Sequence, residues 1–124
     1  MTVRRETKYC QPLRDALRRR GHATNAELLQ DLQQLYPELS ATTVHRLTAR
    51  LVEDGEVATA PADRNGARRF DATTEPHDHF VCTGCNGLRD LDVAAQIMPL
   101  LADAVPDCTI GGRFIINGQC QHCV

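Results

Sequence analysis

Two Cys-x-x-Cys hooks, Cys82–Cys85 and Cys120–Cys123, constrain this chain more than any other feature. Each such turn aims two sulfurs at one point, so two of them can close a tetrahedral four-thiolate zinc site. One hook alone could be a redox motif; a pair is expected to act as a structural staple. The alternatives are two disulfides, or thiols that never meet.

The size of the chain makes a staple useful. Its 124 residues amount to one domain or two very small ones. Either half is smaller than a core alone stabilises comfortably, so a structural metal and dimerisation would both help. Aromatic residues are few and tryptophan is absent. No run of about eighteen apolar residues exists, so no membrane-spanning segment is expected. The first residues, Met1 to Glu6, contain no apolar signal region, which leads us to expect a cytoplasmic protein. In that reducing compartment six cysteines favour metal binding over disulfides.

Charge is divided unevenly along the chain. Residues 1–70 contain twelve Lys/Arg against nine Asp/Glu, a net +3, whereas residues 71–124 contain two against seven, a net −5. The basic front could meet phosphates while the acidic, His- and Cys-bearing back holds cations.

The front half has the punctuation of three helices. Leu13, Ala16 and Leu17 recur at helical spacing before Gly21. Thr24 and Glu27 form a capping box ahead of a stripe of Leu28, Leu29, Leu32, Leu35 and Tyr36, with Pro37 ending the helix. Ser40 caps a third helix whose buried side is Val44, Leu47, Leu51 and Val52, with Gly55 past its end. Thr42, Thr43, His45, Arg46 and Arg50 lie toward its other side. Short strands are then expected at Val57–Ala60 and Ala67–Phe70, around a loop holding Asp63, Arg64, Asn65 and Gly66. Three helices and a hairpin is the order of a winged helix, whose third helix enters the major groove while its wing covers phosphates. Arg64, Arg68 and Arg69 would lie on or beside that wing. The competing reading is a small helical subdomain with a solvated basic face.

Behind residue 71 the pattern changes. Strands are expected at His79–Cys82 and Leu88–Leu91, joined by an Asn86–Gly87 turn. Val93–Ala104 has helical spacing interrupted by Pro99, and Thr109–Asn117 reads as a last strand delivering Cys120. The expected fold class is α+β: a winged-helix DNA-binding domain at 1–72, then a small α/β dimerisation domain with structural zinc at 73–124. Open sheet edges favour a homodimer, which would match a palindromic duplex DNA operator.

Several segments resemble the ferric uptake regulator family of metal-dependent bacterial repressors. They are Leu39–Arg46, Arg69–Asp71, His77–Cys85 with its His-x-His-x-x-Cys-x-x-Cys pattern, and Gly118–Cys123. The likeness runs from about residue 12 to the end. It implies structural zinc on Cys82, Cys85, Cys120 and Cys123. It also implies an exchangeable regulatory metal held between the domains by His22, Asp71, His77, His79 and Asp90. Imidazoles with carboxylates suit Fe(II) or Mn(II). Aspartates at 71 and 90 look like the peroxide-sensing branch, in which metal-catalysed oxidation of a ligand histidine, here His22 or His77, releases DNA. The chain departs from the family in its shortened first helix, in His45 where a tyrosine is usual, and in Gly112 where a ligand histidine often stands. Two metals per chain are therefore expected.

Other residues are read more plainly. Asp92 competes with Asp90, Asp78 is expected to point away from the metal, and His122 to be exposed. Cys10 and Cys108 have no spaced partner and read as small hydrophobes. A hydrolase or deaminase is disfavoured because a four-cysteine site is closed, and because His77 and His79 lack the His-x-Glu or His-Glu-x-x-His context of such enzymes. A zinc-stapled DNA-binding or protein-interaction module without metal sensing is the alternative function.

Overall fold

The computed structural model describes residues 6–111 and 113–124. The expectations placed on Met1 to Arg5 and on Gly112 lie outside the described residues. Contacts divide the chain into two compact units, Met1–Thr74 and Glu75–Val124.

The first unit contains helices α1 (Cys10–Arg20), α2 (Asn25–Gln33) and α3 (Ala41–Glu53), with strands β1 (His22–Thr24), β2 (Ala58–Ala60) and β3 (Arg69–Asp71). Gly21 ends α1 at φ 77°, a left-handed conformation that β-carbon-bearing residues avoid. Its carbonyl accepts the Ala72 N–H at 3.1 Å, which turns the chain straight into β1. The capping box forms as read: Thr24 Oγ1 accepts the Glu27 N–H at 3.2 Å, and Glu27 Oε1 accepts the Thr24 N–H at 2.9 Å. Ser40 caps α3 by accepting the Thr43 N–H at 3.2 Å. The three helices bury one face each, with Leu13, Leu17, Leu28, Leu32, Val44 and Leu51 at its centre and Phe70 from β3. Each such leucine contributes roughly 1.5–3 kcal/mol of transfer free energy on burial.

Several expectations shift. α2 stops at Gln33, so Leu35 lies past its end and is 70% exposed rather than on the buried stripe. The short strands begin at Ala58 and Arg69, and the expected two-stranded hairpin is a three-stranded antiparallel sheet, order β1-β3-β2. The added strand is His22–Thr24, too short to show an alternating pattern. Its partner β3 is buried along its length, Arg69 included. Arg69 thus lies beside the wing loop, as expected, but buried and so not open to a phosphate, while Arg64 and Arg68 are exposed.

The second unit contains β4 (Asp78–Cys82), β5 (Leu88–Leu91), α4 (Ala94–Ala104) and β6 (Ile115–Gly118), in a sheet of order β5-β4-β6. β4 pairs antiparallel with β5 and parallel with β6. The last strand is Ile115–Gly118, shorter than the expected Thr109–Asn117, and both Phe114 just before it and Val93 just before α4 are held by Asp78. Its Oδ1 accepts the Phe114 N–H at 3.0 Å and its Oδ2 the Val93 N–H at 3.1 Å. This one buried carboxylate ties β4 to the entrances of α4 and β6. α4 continues through Pro99, whose ring is exposed. α4 has no buried residue, and Leu100 and Ile115 are 70% and 54% exposed. Among the described residues the apolar core cluster lies wholly in the first unit.

Candidate metal centres and nucleic-acid interface

The second unit brings its four hook cysteines together. Their sulfurs all lie within 4.8 Å of one another, and Cys85 Sγ stands 3.9 Å from Cys120 Sγ. A zinc ion about 2.3 Å from four sulfurs sets them roughly 3.8 Å apart, so the donor set fits that ion. The sheet register makes this possible. Cys82 pairs with Gly118 across β4 and β6, which places the second hook just beyond the first. Asn86 turns the chain out of the first hook at φ 66°, which asparagine tolerates, and Cys82 N–H donates to the Gly87 carbonyl.

The thiols are not equivalent. Cys120 and Cys85 donate their backbone N–H groups to Cys82 Sγ at 3.3 and 3.4 Å. These two bonds, that from Cys120 first, pull the Cys82 thiol down to about 5. Hydrogen bonds from the Cys123 thiol to the neighbouring sulfurs, Cys120 first and then Cys82, push it up to about 12. Four sulfurs this close cannot all carry charge unless a cation neutralises them. Gly84 sets the closeness: a β-carbon there would lie 2.7 Å from Cys123 Cβ and 2.9 Å from its Sγ.

A second cluster in the same unit joins β4 to β5. His77 precedes β4 and His79 lies on it, two residues apart and so on one face. His79 is paired in register with Asp90. His77 Nε2 lies 3.2 Å and His79 Nε2 3.5 Å from Asp90 Oδ1, and the two rings are 4.5 Å apart. His77 Nδ1 lies 2.7 Å from the Glu75 carbonyl, which can only accept, so Nδ1 carries the proton. That turns the Nε2 lone pair toward a carboxylate oxygen 3.2 Å away, a pair of donors that a metal ion could share.

The first unit holds a smaller cluster of the same kind. His22 on β1 is paired in register with Asp71 on β3, and its Nε2 lies 3.3 Å from Asp71 Oδ2. Asp71 is buried, and its Oδ1 accepts the Thr73 N–H at 2.9 Å, leaving Oδ2 toward the histidine. In both units the His–Asp contact is a cross-strand pair, fixed by sheet register rather than by chain proximity.

Asp78 faces away from His77 and His79, as expected, and the Phe114 N–H is the largest influence holding its carboxyl below the usual range. Asp92 and His122 are exposed. Cys10 is buried as expected, but Cys108 is exposed, in the loop after α4. Asp78 as a brace and the Glu75 carbonyl behind His77 escaped sequence reasoning. Neither a backbone acceptor nor the target of a lone aspartate leaves a residue pattern.

On α3 the residues Thr42, His45 and Arg46 are exposed, while Thr43 and Arg50 are half-buried. The opposite face supplies Val44, Leu47, Thr48 and Leu51 to the core. Arg64 is exposed in the loop between β2 and β3.

Comparison with known proteins places these features in a family. The sequence profile of the ferric uptake regulator family matches residues 5–99, a span that includes the first hook and all five His/Asp residues but not the second hook. The peroxide-responsive repressor PerR of Staphylococcus saprophyticus is 30% identical over 108 residues, 82% of this chain and 70% of that protein. The Campylobacter jejuni peroxide stress regulator is 26% identical in sequence and superposes with a TM-score of 0.66, over 92% of this chain and 90% of that one. The Helicobacter pylori ferric uptake regulator Fur, which has three functional metal-binding sites, shares the fold at a TM-score of 0.78 and 20% identity, over 96% of this chain and 81% of that one.

Proposed function

The chain belongs to the ferric uptake regulator family, and from that premise we propose that it is a metal-dependent DNA-binding repressor in which both His/Asp clusters share one regulatory ion. Members of the family are transcriptional regulators, not enzymes, and their fold is a winged-helix DNA-binding domain followed by a dimerisation domain. The observation that carries the reading is the division of donors. His22 and Asp71 offer two in one unit, and His77, His79 and Asp90 offer three in the other. Neither set fills a coordination sphere; together they make three nitrogens and two oxygens, which suits Fe(II) or Mn(II).

Zinc on Cys82, Cys85, Cys120 and Cys123 would stabilise the second unit, which has little apolar core of its own, since binding free energy there is folding free energy. Two metals per chain are proposed. The exposed Leu100 and Ile115 support homodimerisation through this unit, and a two-fold dimer matches a palindromic operator.

The clusters act by tethering. His22 and Asp71 hold the DNA-binding unit, while His77, His79 and Asp90 hold the other. Drawing the two sets onto one ion favours the arrangement competent for DNA by the difference in affinity between the two arrangements. Without the ion, Asp71 and Asp90 repel each other and favour separation. Thr42, Thr43, His45, Arg46 and Arg50 then present α3 to the major groove, with Arg64 over a phosphate. Likeness to peroxide-responsive repressors supports a further role: the chemistry supplied by bound ferrous iron would be reduction of peroxide beside the ligand imidazoles, with His22 or His77 oxidised. A cytoplasmic location follows from this role; no helix among the described residues is long and apolar enough to cross a membrane.

The test is elemental analysis of anaerobically purified protein, dialysed against a weak chelator with and without Fe(II) or Mn(II). It is paired with fluorescence anisotropy on duplex DNA. One retained zinc and one exchangeable ion per chain, with DNA binding that follows the second, is the expected result. Zinc alone would leave a zinc-stapled DNA-binding or interaction protein and remove the metal switch.

A further inference from the structure

A cleft of about 420 Å³ opens in the first unit between α3, the start of α2 and β3. Its floor and sides include Ala49 and Phe70, and its polar groups include Asn25, His45, Thr48 and Arg68. We propose that this cleft is a seat for one sugar-phosphate unit of the DNA backbone, with Arg68 and the Asn25 amide as its phosphate donors.

Each wall supplies a reason. Thr48 is buried inside α3, and its hydroxyl donates to Asn25 Oδ1 at 2.8 Å. With its oxygen turned to Thr48, the Asn25 carboxamide is held with its NH2 end directed the other way. Two N–H donors are thus held in a fixed orientation at low entropic cost. Arg68 and His45 are exposed at the mouth and make no ion pair among the described residues. A guanidinium left in this way beside a carboxamide suits a phosphodiester oxygen, and the carboxylates of Asp63, Glu27 and Asp71 all accept local hydrogen bonds. The small Ala49 and the Phe70 ring give apolar contact of the kind a deoxyribose offers. The cleft shares α3 with the exposed residues Thr42 and Arg46, so a strand seated there would run beside the helix.

The proposal separates the three wing-side arginines. Arg69 is buried in β3, Arg64 is in the loop, and Arg68 alone of the three lines the cleft. A phosphate contact fixes register without reading sequence, so this seat would strengthen binding to any duplex.

The inference rests on the DNA-binding reading above, and the test keeps the two apart. Anisotropy titrations over a range of salt would use metal-loaded full-length protein on two probes, a random-sequence duplex and a duplex the protein itself selects from a random pool. Arg68→Ala should weaken both complexes by the same factor and lower the salt slope by about one, while Arg68→Lys restores the slope. Asn25→Asp, which keeps the acceptor for Thr48 and replaces the donors with a carboxylate, should also weaken both. An unchanged slope and affinity in Arg68→Ala would overturn the seat while leaving DNA binding intact. A loss confined to the selected duplex would overturn it too, by making Arg68 a base reader. Failure of the unsubstituted protein to bind either duplex would overturn the regulator reading, and this seat with it.

Discussion

His79 stands directly opposite Asp90 in the antiparallel β4–β5 register, and its Nε2 lies 3.5 Å from Asp90 Oδ1. The four hook cysteines are a separate group, gathered around Cys82 at the far end of β4. His79→Ala should therefore abolish metal-dependent DNA binding while the protein keeps its zinc. On the proposed reading His79 is a direct ligand, and its loss should cost more than the roughly 10–100-fold typical of a supporting residue. Metal content and anisotropy on the same sample check this; an unchanged metal response would remove His79 from the regulatory site.

Gly84 lies against the second hook. A methyl at that position meets Cys123 Cβ at 2.7 Å, and neither the β-carbon nor the backbone carrying it is a flexible chain end. Gly84→Ala should push the hooks apart and weaken zinc retention by roughly 10–100-fold, the range seen when a supporting shell is disturbed. Zinc release to a colorimetric chelator measures it. Release at the unsubstituted rate would show that the turn relaxes at no cost.

Thr24 both caps α2 and ends β1, two residues after His22. Thr24→Ala removes the acceptor for the Glu27 N–H and should cost about 1 kcal/mol. For a unit of this size that lowers Tm by about 4–8 °C. Thermal unfolding followed by circular dichroism reads the shift, and Thr24→Ser should recover most of it.

Arg20 grips Asp31 with two bonds, Nε to Oδ2 at 2.7 Å and Nη2 to Oδ1 at 2.9 Å. The Arg20 side-chain bond is the largest influence holding the Asp31 carboxyl below its usual 3.8. A depressed acid contributes stability that is present above the unfolded pKa and lost as pH falls through the folded one. Arg20→Ala should thus cost up to about 1 kcal/mol near neutrality, a modest figure because both groups are partly exposed. The difference from the unsubstituted protein should shrink as pH drops below 3.8. Urea unfolding across that range decides it, and a gap that persists at low pH would assign the effect to lost packing of the arginine stem.

The parts of this protein that were legible in the sequence are those governed by short-range rules. The Cys-x-x-Cys hooks, the Thr24 capping box, the Ser40 cap and the α3 stripe of Val44, Leu47 and Leu51 depend on residues at most a few turns apart. His77 and His79 share a face because strand side chains alternate, which needs no partner to be known. The resemblance to a family supplied the rest of the expected donor set, since nothing near His22 or Asp71 in the chain marks either as a ligand.

Tertiary structure decided what depends on strand register and on contact between distant segments. β1 is three residues long and exists only because β3 is there to pair with it; that pairing sets His22 opposite Asp71. The same sheet buries Arg69 and leaves Arg68 at the cleft, a difference between neighbouring arginines that composition cannot express. Leu35 left its expected stripe because α2 ends two residues before it. In the second unit the parallel pairing of β4 with β6 brings Gly118 beside Cys82, and with it the second hook beside the first. Residue type and spacing determined which donors this chain possesses. Hydrogen-bond registry between strands far apart in sequence, a cooperative property of the folded chain, determined which of them meet.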